Sequence, residues 1–235
     1  MPATIHLRPT APVAERVILP GDPGRALALA QALLVKPRMC NHHRGLWGYT
    51  GRAADGAPLT IQSSGMGGPS AAIVACELAA LGARTIVRAG TCGALDASLA
   101  LGQLLVVTGA LAADGTSRAL GASGTVAGDP RLLGALRAVA DERVRFGAVA
   151  SSDLFYDLPE GSERAWREAG ALAVEMEAAA LFAVAERRGL RAGCALIVSD
   201  AADRRRLADD ELREAELALG ELVAAALARL EPPPS

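Results

Sequence analysis

Short apolar runs of strand length alternate with longer stretches of helical period along almost the whole chain. Arg16–Leu19 reads as a strand that runs into a turn over Pro20–Gly24, and a helix follows over Arg25–Leu34. Gly48–Ala54 and Pro58–Ser63 flank Asp55-Gly56, the signature of a hairpin. Pro69–Leu81 predicts a helix with proline in its first turn. Thr85–Ala89 and Leu104–Thr108 are short, apolar and β-branched, as buried strands are. A helix over Pro130–Val139, a strand over Arg143–Ala150, a helix over Glu175–Arg188, a strand over Arg191–Ser199 and a closing helix over Asp209–Leu230 complete the pattern. The Gly-, Ser- and Thr-rich segment Gly115–Gly128 reads as a surface loop, and Pro232–Ser235 as a frayed tail. Strand–helix alternation without repeat or linker predicts a single α/β domain over residues 1–235, a three-layer α/β/α arrangement around a central mixed sheet.

Composition narrows the function more than the fold. With 235 residues, 24 basic and 26 acidic side chains and a net charge of −2, the chain lacks the basic excess of a nucleic-acid binder. The uncharged stretches around Leu59–Cys76 and Ala97–Ala113 are broken by Gly, Ser, Gln or Thr, so a soluble core is expected rather than a membrane span. Cys40, Cys76, Cys92 and Cys194 are widely spaced, with no CxxC pair and no histidine at zinc-ligand spacing. Free thiols, no metal and a cytoplasmic location are the expectations. Lys36 is the one lysine, all other basic residues being arginine. Codon bias accounts for most of that skew, including Arg204–Arg206; an arginine matters where a planar fork of donors is needed.

In open α/β sheets ligands gather at the carboxyl ends of strands, and here those ends carry unusual residues. Gly21-Asp22-Pro23-Gly24-Arg25 is either a plain turn or a ring of backbone N–H groups for an anion, to which Arg25 adds donors. Ser64-Gly65-Met66-Gly67-Gly68-Pro69-Ser70 does not match GxGxxG, and its glycines serve equally well for positive φ angles. Arg88 ends an apolar strand, where it is costly unless paired or bound to an anion, and Thr91 can give a hydroxyl and a backbone N–H to the same anion. Glu175 and Glu177 suit a helix N-terminus without any ligand. Asp200 closes a second apolar strand, as a costly carboxylate or a helix cap.

Taken in order, PGDPGR, HRGLWGYTG, GMGGPS, VRAGTCGA, SSDLFY, VEMEAAALF and VSD resemble the nucleoside phosphorylase family, in its hexameric purine nucleoside and uridine phosphorylase branch. The resemblance runs from about His6 to Arg213. It implies phosphate bound by Gly21, Arg25, Arg88 and Thr91, with Arg44 reaching in from a neighbouring subunit; guanidinium forks suit a tetrahedral oxyanion better than an ammonium does. It implies that Glu177 holds the ribose hydroxyls, that Met66 and Met176 pack on the sugar, and that His6 meets the 5′ hydroxyl across the dimer interface. Around the base it places Cys92, Gly93, Phe155, Tyr156, Val174, Glu175 and Ser199. Asp200 is implied as the general acid at the purine N7, with Arg213, in ADDELR, swinging towards it. A free aspartic acid is ionised at neutral pH, so the role requires burial or a partner.

The implied reaction is reversible phosphorolysis of purine (deoxy)ribonucleosides to free base and (deoxy)ribose 1-phosphate. The implied assembly is a hexamer built as a trimer of dimers, with inorganic phosphate as co-substrate and no other cofactor. The Gly115–Gly128 segment is short for the family. Uridine phosphorylases place a Gln and an Arg beyond the Phe-Tyr pair; here Arg164 stands without a Gln and Asp200 is of the purine type. Nucleosidases of the same superfamily do not need the phosphate arginines, and a non-catalytic nucleoside-binding module would need neither those nor Asp200.

Overall fold

The computed structural model describes residues 4–203 and 205–230. Ten strands form one mixed sheet: β1 (Arg16–Leu19), β2 (Val35–Asn41), β3 (Gly48–Arg52), β4 (Pro58–Gln62), β5 (Thr85–Ala94), β6 (Leu104–Ala112), β7 (Thr125–Val126), β8 (Arg145–Ser151), β9 (Ala171–Glu175) and β10 (Arg191–Asp200). The helices are α1 (Pro23–Leu33), α2 (Gly68–Ala80), α3 (Gly115–Ala119), α4 (Pro130–Val139), α5 (Ser162–Glu168), α6 (Ala178–Arg188) and α7 (Asp209–Arg229), with a 3-10 turn at His43–Gly45. From the β2 edge the sheet runs through β3, β4 and β1 to β5, then through β9, β8 and β6 to β10. Because β10 also lies parallel to β5, the strands β5, β9, β8, β6 and β10 close into a ring.

Helices cover both faces. On one, Val74 and Leu78 of α2 meet Leu181 and Val184 of α6; on the other, Leu29 of α1, Leu132 and Leu136 of α4 and Val223 and Leu227 of α7 pack on the sheet. Residues Ala178–Ala185 of α6 are all buried, which is why this helix is apolar on every side. Two helices start on Asp-Pro. Asp22 accepts from the Arg25 N–H at 2.7 Å and Asp129 from the Leu132 N–H at 2.9 Å, each cap contributing about 1 kcal/mol. The expected hairpin is present: β3 and β4 pair antiparallel, and the Asp55 carboxylate of its turn accepts from the Ala57 N–H at 2.9 Å.

Four expectations change. β5 and β6 run on to Ala94 and Ala112, so the motif Gly90–Ala94 lies inside a strand rather than after it. The helix expected from Glu175 begins at Ala178, because Ala171–Glu175 pairs with β5 and β8 as β9. Gly115–Gly128 contains ordered structure: Asp114 caps α3 through the Ser117 N–H at 2.7 Å, and β7 pairs with β6. β2 and α5 are additional elements. The Pro232–Ser235 tail and Arg204 lie outside the described residues. No helix among the described residues is long and apolar enough to cross a membrane.

The N-terminal segment is pinned to α2 by one carboxylate. Glu77 accepts from the backbone N–H groups of Ile5 at 3.0 Å, His6 at 3.1 Å and Leu7 at 2.6 Å, and meets His6 Nδ1 at 2.8 Å. Burial works against the charged form, but the Leu7 and His6 hydrogen bonds outweigh it and lower the Glu77 pKa below its ordinary 4.5. A carboxylate with a depressed folded pKa stabilises above its unfolded value, and that contribution is lost as pH falls through the folded value. Amide exchange at residues 5–7 should therefore stay slow above about pH 4.5 and accelerate below it. Glu77→Gln should give fast exchange already at neutral pH, at a cost of about 1–3 kcal/mol. Equal protection in both proteins at both pH values would contradict the clip.

Candidate active site

A cavity of about 660 Å³ opens where the carboxyl ends of β1, β5, β9 and β10 meet the loops that follow them. Of the site residues that the family resemblance implies, all but His6, Arg44 and Arg213 line it. Gly21 and Arg25 come from the β1–α1 turn, Arg88, Thr91, Cys92 and Gly93 from β5, and Val174 to Glu177 from β9 and the turn into α6. Ser199 and Asp200 end β10, and Met66, Phe155 and Tyr156 stand on loops.

The centre of the cavity is a buried charge network. Arg88, only 6% exposed at its side chain, donates from Nε to Glu175 at 2.9 Å and from a terminal nitrogen to Glu177. Burial opposes the charge on Arg88, but the carboxylates of Glu177 and Glu175 outweigh it and hold the guanidinium more firmly protonated than usual. Gly90 is what admits it, since a Cβ there would stand 2.7 Å from the Arg88 Cζ. Glu177 also accepts from the Gly67 N–H at 2.6 Å, which ties the Gly-rich turn before α2 to the same network. Gly67 holds φ of +84°, a conformation that favours glycine.

Glu175 is placed differently from the expectation for a base-binding side chain. Its carboxylate is turned into the interior, where it accepts from the N–H of Glu177 at 2.9 Å, the N–H of Ala178 at 3.0 Å and the Ser151 hydroxyl. Burial raises its pKa, and the charge of Arg88 offsets part of that rise. It anchors Arg88 and the start of α6, and Glu177 is the carboxylate of the pair that joins Arg88 to the Gly67 turn.

Arg25, also buried, donates through Nε to Glu216 of α7 at 2.6 Å. Two guanidiniums and the Gly21 turn thus border one end of the cavity. Three free cysteines are buried, and Cys76 is partly so. Burial pushes the Cys92 thiol in the cavity wall well above its ordinary value, so it is no thiolate nucleophile. Phe155 and Tyr156 meet edge to face with centroids 4.8 Å apart and stay exposed at the mouth, as does Met66.

At the other end, Asp200 ends β10 just past a bulge that shifts the register between Val198 and Asp200. One carboxylate oxygen accepts from the Ser199 hydroxyl at 2.8 Å, and the other meets Arg206 Nε at 2.9 Å. Arg213 lies exposed on α7, outside the cavity, and the arginine paired with Asp200 in this conformation is Arg206. Arg206 belongs to the run assigned to codon bias, and nothing local in an Arg-Arg-Arg triplet reveals the turn that delivers its third member. Arg164 is also outside the cavity, 3.9 Å from Glu168, whereas Arg167 of the same helix lines it. His6 and Arg44 lie outside the cavity of their own chain, Arg44 at φ +58° in the exposed 3-10 turn.

The family model described as Phosphorylase superfamily matches residues 15–230. A guanosine phosphorylase of Halorubrum lacusprofundi is 40% identical over 185 residues, covering 77% of this chain and 76% of that protein. A DeoD-type purine nucleoside phosphorylase of Geobacillus kaustophilus is 36% identical over 197 residues, 81% of this chain and 83% of its own. A crystal structure of uridine phosphorylase from Vibrio fischeri superposes with a TM-score of 0.85 at 26% identity, covering 93% of each chain. Sequence match, fold and the placing of the strand-end motifs agree: the chain belongs to the phosphorylase superfamily.

Proposed function

We propose that this protein is a purine nucleoside phosphorylase, a pentosyltransferase that converts purine (deoxy)ribonucleosides and phosphate reversibly to free base and (deoxy)ribose 1-phosphate. The observation that carries the reading is the layout of one cavity, with Arg25 and Arg88 at one end, Glu177 tied to Arg88 in the middle and Asp200 at the other. Phosphate sits at Gly21, Arg25, Arg88 and Thr91. Glu177 accepts from the ribose hydroxyls between Met66 and Met176. The base lies by Cys92, Gly93, Val174 and Ser199, beneath Phe155 and Tyr156.

A phosphate oxygen bonds to the anomeric carbon as the C–N bond breaks, and the electron pair of that bond leaves on the base. Asp200 delivers a proton to N7, and hydrogen phosphate, which becomes the ester dianion, makes up that proton overall. Positive charge develops on the sugar between phosphate and Glu177, where a fixed negative field stabilises it. The same network explains why Arg88 must be arginine: it addresses two carboxylates and an oxyanion at once, which an ammonium has no geometry to do. His6 and Arg44, outside their own cavity, complete a partner's site in a dimer-based hexamer. The unpaired cysteines suit the reducing cytoplasm.

The test is base release from inosine, guanosine and uridine with and without phosphate. Phosphate-dependent release from the purine nucleosides is expected. Release without phosphate would point to hydrolysis, release from uridine alone to a uridine phosphorylase, and none at all to a binding module.

A further inference from the structure

The segment between β10 and α7 returns on itself. Asp200 and Arg206 form an antiparallel bridge, the Ala201 N–H donates to the Arg205 carbonyl at 2.8 Å, and the Leu207 N–H donates to the Ser199 carbonyl at 2.9 Å. This backbone pairing sets Arg206 across from Asp200, and its side chain lines the cavity beside Asp200, Ala201 and Ala202. Arg206 reaches the Asp200 carboxylate through Nε at 2.9 Å. That contact uses one of the five N–H donors of a guanidinium, a group with no acceptor at all. The other face of the carboxylate is taken by Ser199.

A purine presents N7 and its 6-substituent side by side on one edge. In a 6-oxopurine both are acceptors; in a 6-aminopurine N7 accepts but the 6-amino group donates. Resting on the phosphorylase reading above, we propose that Arg206 is a specificity-determining residue that selects 6-oxopurine nucleosides. Asp200 addresses N7, and the remaining donors of Arg206 address O6. A 6-amino group would set donor against donor at that place. The matched edge is worth about 10- to 100-fold in discrimination, and the solvent exposure of Arg206 puts the effect at the lower part of that range.

The experiment measures kcat/KM for inosine and adenosine at saturating phosphate, and Kd for hypoxanthine and adenine, in the wild type, Arg206→Ala and Arg206→Lys. The wild type should favour inosine and hypoxanthine by at least about 10-fold. Arg206→Ala should lose most on the oxo compounds, bringing both ratios close to one, and Arg206→Lys should restore part of them. A purely structural role for the turn would lower both substrates in parallel and leave the ratios unchanged, which overturns the proposal, as does a wild-type preference for adenosine and adenine. The free bases bind without turnover. A hypoxanthine preference that disappears in Arg206→Ala therefore upholds the inference even in an enzyme that fails to release base, where only the phosphorylase reading fails.

Discussion

Arg88→Ala is expected to abolish most phosphorolysis and to destabilise the fold in the same stroke. The change leaves Glu175 and Glu177 without the cation that compensates them in a buried site. Removing one partner of such a pair costs about 3–5 kcal/mol, and the loss of the guanidinium proposed to bind phosphate about 10²–10³ in kcat. For a chain of this size the stability loss corresponds to a fall in Tm of about 10 °C. Arg88→Lys keeps the charge but cannot reach both carboxylates and an oxyanion, so it should recover stability better than activity. A neutral triple variant, Arg88→Met with Glu175→Gln and Glu177→Gln, removes the uncompensated charges and should regain part of the lost Tm without regaining any turnover. Thermal melts alongside phosphate saturation curves decide this. Arg88→Ala with an unchanged Tm and an unchanged phosphate KM would remove the network from both roles.

The parts of this site that were legible in the sequence are those that a single segment defines. Asp22-Pro23 caps α1 through contacts three residues apart, and Arg88 and Asp200 each break an apolar strand, so both stand out as charges needing a reason. What stayed hidden was set by distant contacts. Glu175 reads as a helix-opening acid, yet it faces inward at the end of β9, paired with an arginine 87 residues away. The alternation of Ala171, Ala173 and Glu175 as buried positions is a strand signal, but the alanines on both sides blur it into the helix that follows. β2, VKPRMCN, has five exposed positions in a row and a proline, so only its pairing with β3 makes it a strand. Arg206 could not be told from its neighbours, because the turn that sets it against Asp200 is held by backbone hydrogen bonds that any sequence can make.

Asp200→Asn should lower kcat/KM for inosine by about 10²–10⁴ while the phosphate KM stays within about twofold, because the proposed role of Asp200 is at the base, away from Arg25 and Arg88. The asparagine is nearly isosteric and can still donate a hydrogen bond to N7, but it has no proton to transfer. Asp200→Ala removes both, so the gap between the two variants separates hydrogen bonding from proton delivery. A nucleoside methylated at N7 gives the sharper control. Its base already carries positive charge and leaves without a proton, so phosphorolysis of 7-methylinosine should be nearly unaffected by Asp200→Asn. If both substrates fell together, Asp200 would be holding the cavity in shape rather than serving the leaving group. If neither fell, the proton would have to reach the base from solvent through the open mouth at Phe155 and Tyr156. The carboxylate left after proton transfer is then met by Arg206 and Ser199, the two groups already placed on its oxygens.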